Sequence, residues 1–297
     1  MPSGGKMQVY QKCVQFLPSL RKEGTMCPVT AELEFSQIAE LVKLICDVKA
    51  NWMTKGWSMC WFRGSNTNYD LMPGQYRPTF RKLYDEDSTF REFKQKARGF
   101  LKRNVNDWEL FFLMQHYRIP TRLLDWTENA FVALYFSLID QAKDGAPCVW
   151  MFNPLLFNER NALSPGPGVY VNPDSIDPKL PDLINVYHPC HFDPQVKILT
   201  DSNGEIGNNP VAMYPPTVDP RIVAQRSVFT LHGARRDSID KCCENHPESK
   251  DNFIRKFVFK GVWGSVLQEL KCFGISREAI FPDLEGLGLE LRGRFTL

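Results

Sequence analysis

Hydrophobic and polar positions along the chain alternate between two periods. From Ile38, apolar residues recur at Leu41, Val42, Ile45 and Val48, three and four apart, which predicts an amphipathic helix over 37–53. Ser36 stands where a helix N-cap belongs, with Glu40 in the first turn. Just before it, T-A-E-L-E-F reads as a short edge strand. Trp57 to Arg63 reads as an aromatic-rich strand, broken by Gly64-Ser65-Asn66. Residues 70–80, with Pro73, Gly74 and Pro78, read as loop. Further strands are expected at Ala146–Phe152, Ile222–Leu231 and Phe253–Lys260. A helix is expected over 263–272, with Val266, Leu267, Leu270 and Phe273 on one side, and a last helix opens near Pro282. Residues 153–220 read as short strands among long loops, and 233–251 as a polar surface loop.

Strands and helices interleave without a regular βαβ rhythm and without an internal repeat. The pattern predicts an α+β fold: a single mixed domain over residues 30–297, with a central, largely antiparallel sheet or split sheets flanked by helices. Residues 1–29 read as an N-terminal extension.

One stretch breaks the pattern. Between Trp108 and Ser137, an apolar helical segment (Leu110, Phe111, Met114, Tyr117) is followed by a polar insert from His116 to Thr127. A second apolar helix follows, with Phe131, Leu134, Tyr135 and Leu138 on one face. Burying Arg118, Arg122 and Asp125 between core helices would cost several kcal/mol unless each is paired. The insert is therefore either an internal ion-pair clasp or a site.

Composition narrows the classes. The chain has 297 residues, 43% hydrophobic and 24% charged, with a net charge of +2. It has no run of ~18 apolar residues such as a membrane helix needs, so no membrane partner is expected. The N-terminus lacks a basic region followed by a long apolar run, which argues against a secretory signal. Nine cysteines at irregular spacing suit free thiols in a reducing compartment. Together these predict a cytoplasmic protein. Residues 77–103 carry nine basic residues against four acidic ones, interleaved with Tyr84, Phe90, Phe93 and Phe100. That mixture fits either an RNA or DNA face or, more simply, an amphipathic helix with one side buried.

Several familiar chemistries are absent. His188, Cys190 and His191, and Cys242-Cys243 with His246, lack paired C-x-x-C spacing, so no metal is expected. There is no G-x-S-x-G, no G-x-G-x-x-G after a strand, and no G-x-x-x-x-G-K. Three polar groups remain: Arg63-Gly64 at a strand end, Gln115-His116 with Pro120 to Thr127, and Arg221 with Gln225 to Ser227. Arg63 offers a fork of donors for phosphate or carboxylate, and Gly64 would let backbone approach a ligand. Asp125 or Thr127 could cap the following helix, whose N-terminus would welcome an anion. Strand alternation would place Gln225 and Ser227 on one face.

These stretches resemble the FRG domain family, named for Phe62-Arg63-Gly64. F-R-G-S-N is followed in family order by L-M-P-G-Q-Y-R at 71–77 and Q-H-Y-R-I-P-T-R-L-L-D-W-T at 115–127. R-I-V-A-Q-R-S-V-F-T at 221–230 and G-I-S-R-E-A-I-F-P-D-L at 274–284 complete the set. Two positions depart from the usual pattern: Arg118, where the family more often has Gly, and Arg226-Ser227, where a small residue is usual. The resemblance implies a toxin or phage-defence protein, with an antitoxin or regulatory protein as a partner. It also implies a layout similar to ADP-ribosyltransferases, by analogy of fold.

In that analogy the substrate is NAD. Arg63 and Arg122 would clamp its phosphates, with Gly64 and Thr127 beside them. Trp126 or Tyr135 would stack the nicotinamide, and Gln225 would grip the ribose. The glutamate common in such transferases is missing from the order, leaving His116 or Asp125 as the base. Three outcomes stay open: an ADP-ribosyltransferase acting on a macromolecule, nucleic acid included; an NAD glycohydrolase; or a non-catalytic FRG module that binds nucleic acid or protein.

Overall fold

The structure, a computed structural model, describes residues 33–56, 58–66, 70–77, 85–101, 103–139, 147–162, 187, 209–216, 219–233, 235–244, 250–293 and 295. The chain divides into two compact units, Met1–Ala31 and Glu32–Leu297. All that follows concerns the second. The extension at 1–29 and the histidines at 188, 191 and 246 lie outside the described residues.

The elements in order are β1 (Leu33–Phe35), α1 (Ile38–Thr54), β2 (Trp61–Ser65), α2 (Glu86–Ala97), α3 (Asp107–His116), β3 (Leu123–Thr127), α4 (Ala130–Leu138) and β4 (Cys148–Phe152). Then come α5 (Pro154–Phe157), β5 (Val211–Met213), α6 (Pro220–Ala224), β6 (Ser227–Leu231), α7 (Ile239–Glu244) and α8 (Lys250–Phe253). β7 (Ile254–Phe259), α9 (Trp263–Cys272), α10 (Arg277–Ile280) and α11 (Leu284–Gly293) complete them. The strands form one seven-stranded sheet in the order β1-β7-β4-β2-β3-β6-β5. Every neighbouring pair is antiparallel except β1 with β7, as a mixed α+β fold requires. Among the described residues no helix is long and apolar enough to cross a membrane.

Both faces of the sheet are covered. On one face, Phe62, Val149, Met151 and Phe257 pack under α1, α4 and α9, while Leu123, Phe229 and Leu231 pack under α2 and α3. On the other, Trp61, Leu124, Trp126, Phe152 and Val228 form a third cluster with α5 and α7. Pleat alternation accounts for the split along each strand.

Three expectations change. Leu123–Thr127, read as part of a polar insert between helices, is a central strand, because Leu123 and the Leu124–Trp126 pair each find a covered face. The strand expected from Ile222 starts only at Ser227. Asp219 accepts from Arg221 N at 2.7 Å and Pro220 occupies the first helical position, so α6 forms first. The loop expected at 233–251 contains α7, whose Ile239, Cys242 and Cys243 are buried at helical spacing. Burial pushes the Cys242 thiol up to about 12 and Cys243 well above its ordinary value, so both are inert core groups.

A polar tie anchors α2 to the sheet. Arg122 is fully buried, and Glu86 accepts from both its backbone N (2.9 Å) and its Nε (2.6 Å). The remaining guanidinium nitrogens donate to His232 O (3.1 Å) and Tyr187 O (2.7 Å). Burial pushes the Glu86 carboxyl up, against the pull of the Arg122 guanidinium.

His232 is buried beside this pair, with Nε2 3.2 Å from Asp237 O and Nδ1 unpartnered. Burial lowers it to about 3 from an ordinary 6.5; the contact with Asp237 O raises it and Arg122 lowers it further. Between those values the unfolded chain carries the extra proton. Stability should therefore fall as pH drops from 6.5 toward 3, by up to about 1.4 kcal/mol per pH unit from this group. Urea denaturation at pH 7, 5 and 4 checks this, and a His232→Gln variant should show a shallower decline.

Candidate functional site

The sheet parts between its two central strands. β2 and β3 pair at a single position, Phe62 with Thr127, whereas β2–β4 and β3–β6 each pair through five. Beyond that pair, toward Gly64 and Asp125, the strands separate. On the same face, α4 covers the β2 side and α3 the β3–β6 side. The uncovered strip between them is a cleft of about 450 Å3, closed on the far side by residues of α10 and α11. Arg63, Gly64, His116, Asp125, Thr127 and Gln225 all line it.

Asp125 lies at the floor, with its side chain 53% exposed. Its Oδ2 accepts from Gln115 Nε2 at 2.8 Å, and Gln115 Oε1 accepts from Thr121 Oγ1 at 2.7 Å. Arg63 reaches across the parting of the strands, donating to Asp125 O at 2.5 Å and lying 3.9 Å from its carboxylate. Burial lowers the Arg63 guanidinium, while the Asp125 carboxylate raises it and Arg77 lowers it further. The carboxylate is thus held on two sides and open on the third.

His116 ends α3, its Nδ1 3.4 Å from Asp219 Oδ1. Burial lowers the imidazole below its ordinary 6.5, with Asp219 raising it, Arg221 lowering it and Asp283 raising it. The ring is therefore mostly neutral near pH 7. Gln225 sits at the end of α6 rather than in a strand, and its Nε2 donates to Ile280 O at 3.2 Å. Its carbonyl accepts from Thr127 Oγ1 at 2.7 Å, which fixes Thr127 at the floor. The cap of α4 is Asn129, whose side chain accepts from Phe131 N, and neither Asp125 nor Thr127 plays that part.

Other expected site residues lie elsewhere. Arg122 is in the buried tie and does not line the cleft. The Trp126 ring stacks on Phe152 at 4.7 Å on the opposite sheet face, and its Nε1 donates to Thr230 Oγ1 at 3.0 Å. Only its backbone belongs to the cleft floor. Tyr135 is buried in the core under α4. Gly64 lines the cleft, but what presses on it is protein: a Cβ there would lie 1.8 Å from Ala133 O and 2.7 Å from Ser137 N. Its lack of a side chain admits α4, not a ligand.

The structure adds residues to which the sequence assigned no role: Phe136, Arg277, Phe281 and Glu285 line the cleft, together with Arg118 of the polar insert. Phe281 lies under two guanidiniums, Arg221 at 5.4 Å and Arg277 at 5.8 Å from its centroid. Arg221 is paired with Asp283 (Nε to Oδ2, 2.7 Å). The two departures from the family pattern, Arg118 and Arg226, are the non-glycine residues with positive φ among those described, 62° and 48°. A left-handed backbone favours glycine, the residue the resemblance implies at 118, and costs other residues roughly 1–3 kcal/mol. A buried guanidinium N–H without a partner, as at Arg277 Nε, costs roughly 1–3 kcal/mol as well.

Most of the described cations at 77–103 are paired, while Arg98 is exposed at the end of α2. Arg91 pairs with Asp87 (2.8 Å), Lys94 with Asp107 (2.7 Å), Lys96 with Glu92 and Arg103 with Glu109 (2.8 Å). Phe90 is buried and Phe93 partly so, which gives α2 an ordinary core side.

The molecule is thus an α+β protein with an arginine-rich cleft where its sheet parts. Residues 58–146, reaching from just before β2 to beyond α4, match the family model of the FRG domain, and the protein carries that domain. The chain has no match among curated proteins or solved structures. The motifs at 221–230 and 274–284 lie outside the matched region, yet the fold brings both to the same cleft.

Proposed function

We propose that the cleft binds NAD and breaks the bond between nicotinamide and ribose, passing ADP-ribose to a macromolecule or to water. The supporting observation is the convergence of Arg63, His116, Asp125 and Gln225 on one cleft, from distant parts of the chain. Its volume of about 450 Å3 falls within the roughly 300–1,000 Å3 of small-ligand sites. Arg63 on β2, Asp125 to Thr127 on β3 and Gln225 just ahead of β6 keep the chain order of that analogy, which supports an ADP-ribosyltransferase-like layout. A toxin or defence role follows from the family resemblance alone.

The chemistry divides among these groups. As the C1′–N1 bond breaks, its electron pair passes to the pyridinium nitrogen and positive charge develops on the ribose. The Asp125 carboxylate, fixed by Gln115 and Arg63, faces that charge without reorganising. The attacking O–H bonds to C1′, and its proton goes to His116. With a proton on Nδ1 toward Asp219, the neutral ring keeps the Nε2 lone pair for that transfer. Glu285, 70% exposed at the cleft wall and 3.8 Å from Arg221, supplies a second carboxylate. Phe136 and Phe281 replace Trp126 and Tyr135 as rings available to the nicotinamide.

A second reading is a binding module in which the polar groups only shape the fold; the tying of Gln225 to Ile280 O and of Asp125 to Gln115 favours it. Calorimetric titration of NAD separates the two. The wild type should bind NAD, and Arg63→Gln should bind at least about tenfold more weakly, one charge-assisted hydrogen bond's worth. Its melting temperature should stay within a few degrees. A wild type indifferent to NAD would defeat the proposal.

A further inference from the structure

The cations of the cleft are not equally occupied. Arg63 donates to Asp125 O, and Arg221 is paired with Asp283. Arg118 and Arg277 differ: among the described residues neither guanidinium has a hydrogen bond or an ion pair. Arg277 Nε is shielded from water without an acceptor, and the guanidinium rests on the Phe281 ring. Arg118 keeps a left-handed backbone at the cleft wall, where glycine would be relaxed. A buried unsatisfied donor and a strained backbone both call for explanation, and both belong to arginines of one cleft.

We propose that Arg118 and Arg277 form a diphosphate subsite that holds the nucleoside diphosphate part of the ligand. Two uncompensated cations match the two negative charges of a diphosphate diester. Guanidinium is the side chain whose planar fork of donors fits phosphate oxygens. Phe281 orients one of them by stacking. The subsite takes the place of the clamp that Arg122 cannot provide. A concave cleft of about 450 Å3 lies in the size range of small-ligand sites, which a nucleotide fits. The proposal rests on the dinucleotide reading for what occupies the Asp125 end, but not for the diphosphate itself.

ADP, which has no nicotinamide, is the probe. Calorimetry should show ADP binding to the wild type, with AMP weaker. Arg277→Gln and Arg118→Gly should each weaken ADP at least tenfold, and Arg91→Gln, at an exposed pair on α2, should not. Arg118→Gly suits the turn at φ 62°, so it removes the charge without disturbing the fold. Arg277→Lys should restore only part of the affinity. ADP binding that is absent from the wild type, or unchanged in both variants, overturns the subsite. So does a ten-nucleotide RNA that binds more tightly than ADP and loses equally in both variants. If NAD is not cleaved while ADP binding depends on Arg277, the activity falls and the subsite stands; cleavage with ADP indifferent to both variants does the reverse.

Discussion

Gly64→Ala is expected to destabilise the protein by about 3 kcal/mol or more, at the upper end for overpacking. The added methyl would lie 1.8 Å from a carbonyl of α4 and 2.7 Å from Ser137 N, and helix backbone cannot rotate away as a side chain could. Either α4 moves off β2 or the parting of the sheet widens. Because α4 leads into Phe136 and Ile139 on the cleft wall, ligand affinity should fall with stability. Gly288→Ala in α11 is the control: nothing lies within 4 Å of its added Cβ, and alanine there should stabilise by up to about 1 kcal/mol. Urea denaturation of the two variants gives both numbers.

Arg122→Met should be about as damaging, for an electrostatic reason. It keeps much of the volume but leaves Glu86 buried without its cation, and it strips donors from His232 O and Tyr187 O. Breaking a buried pair in this way typically costs about 3–5 kcal/mol. Adding Glu86→Leu to Arg122→Met should recover a large part of the loss, because two apolar groups replace two charges. A double variant no more stable than Arg122→Met would show that the carboxylate is not the source of the cost. Neither residue touches the cleft, so any nucleotide affinity should survive in whatever fraction remains folded.

The parts of the fold that were legible in the sequence are those with one buried side. α1 and α9 carry clear stripes, and both appear within a residue or so of their expected bounds. β3 was not legible as a strand. It is five residues long, buried on both faces, and interrupted by Asp125, so it lacks the alternation that marks a half-buried strand. The run at 222–231 misleads for the opposite reason: an apolar I-V-A reads as strand although Asp219-Pro220 ahead of it is a helix start. Buried partnerships such as Glu86 with Arg122 depend on tertiary proximity, which no local pattern carries.

Parts of the site are legible because hydrogen-bonding side chains sit in apolar surroundings. Arg63, His116, Asp125 and Gln225 stood out in that way, and the fold brings them together. Trp126 and Arg122 stood out equally but face elsewhere, since strand alternation sends Trp126 to the far side and Glu86 draws Arg122 into the core. Arg277 and Phe281 belong to a recognisable stretch, 274–284, but nothing local marks their side chains as facing a cleft built by other elements. The two arginines that depart from the family pattern, at 118 where glycine is usual and at 226 where a small residue is, are the subtler signal. Each marked a left-handed turn, and Arg118 also marked a charge at the cleft.

The most direct test of the central claim is the release of free nicotinamide from NAD, followed by chromatography. It should be run with the protein alone and with RNA, DNA or lysate protein as acceptor. The account predicts release by the wild type under at least one of these conditions, and its loss in Asp125→Asn at unchanged stability. No release under any of them, from a folded protein, would contradict it.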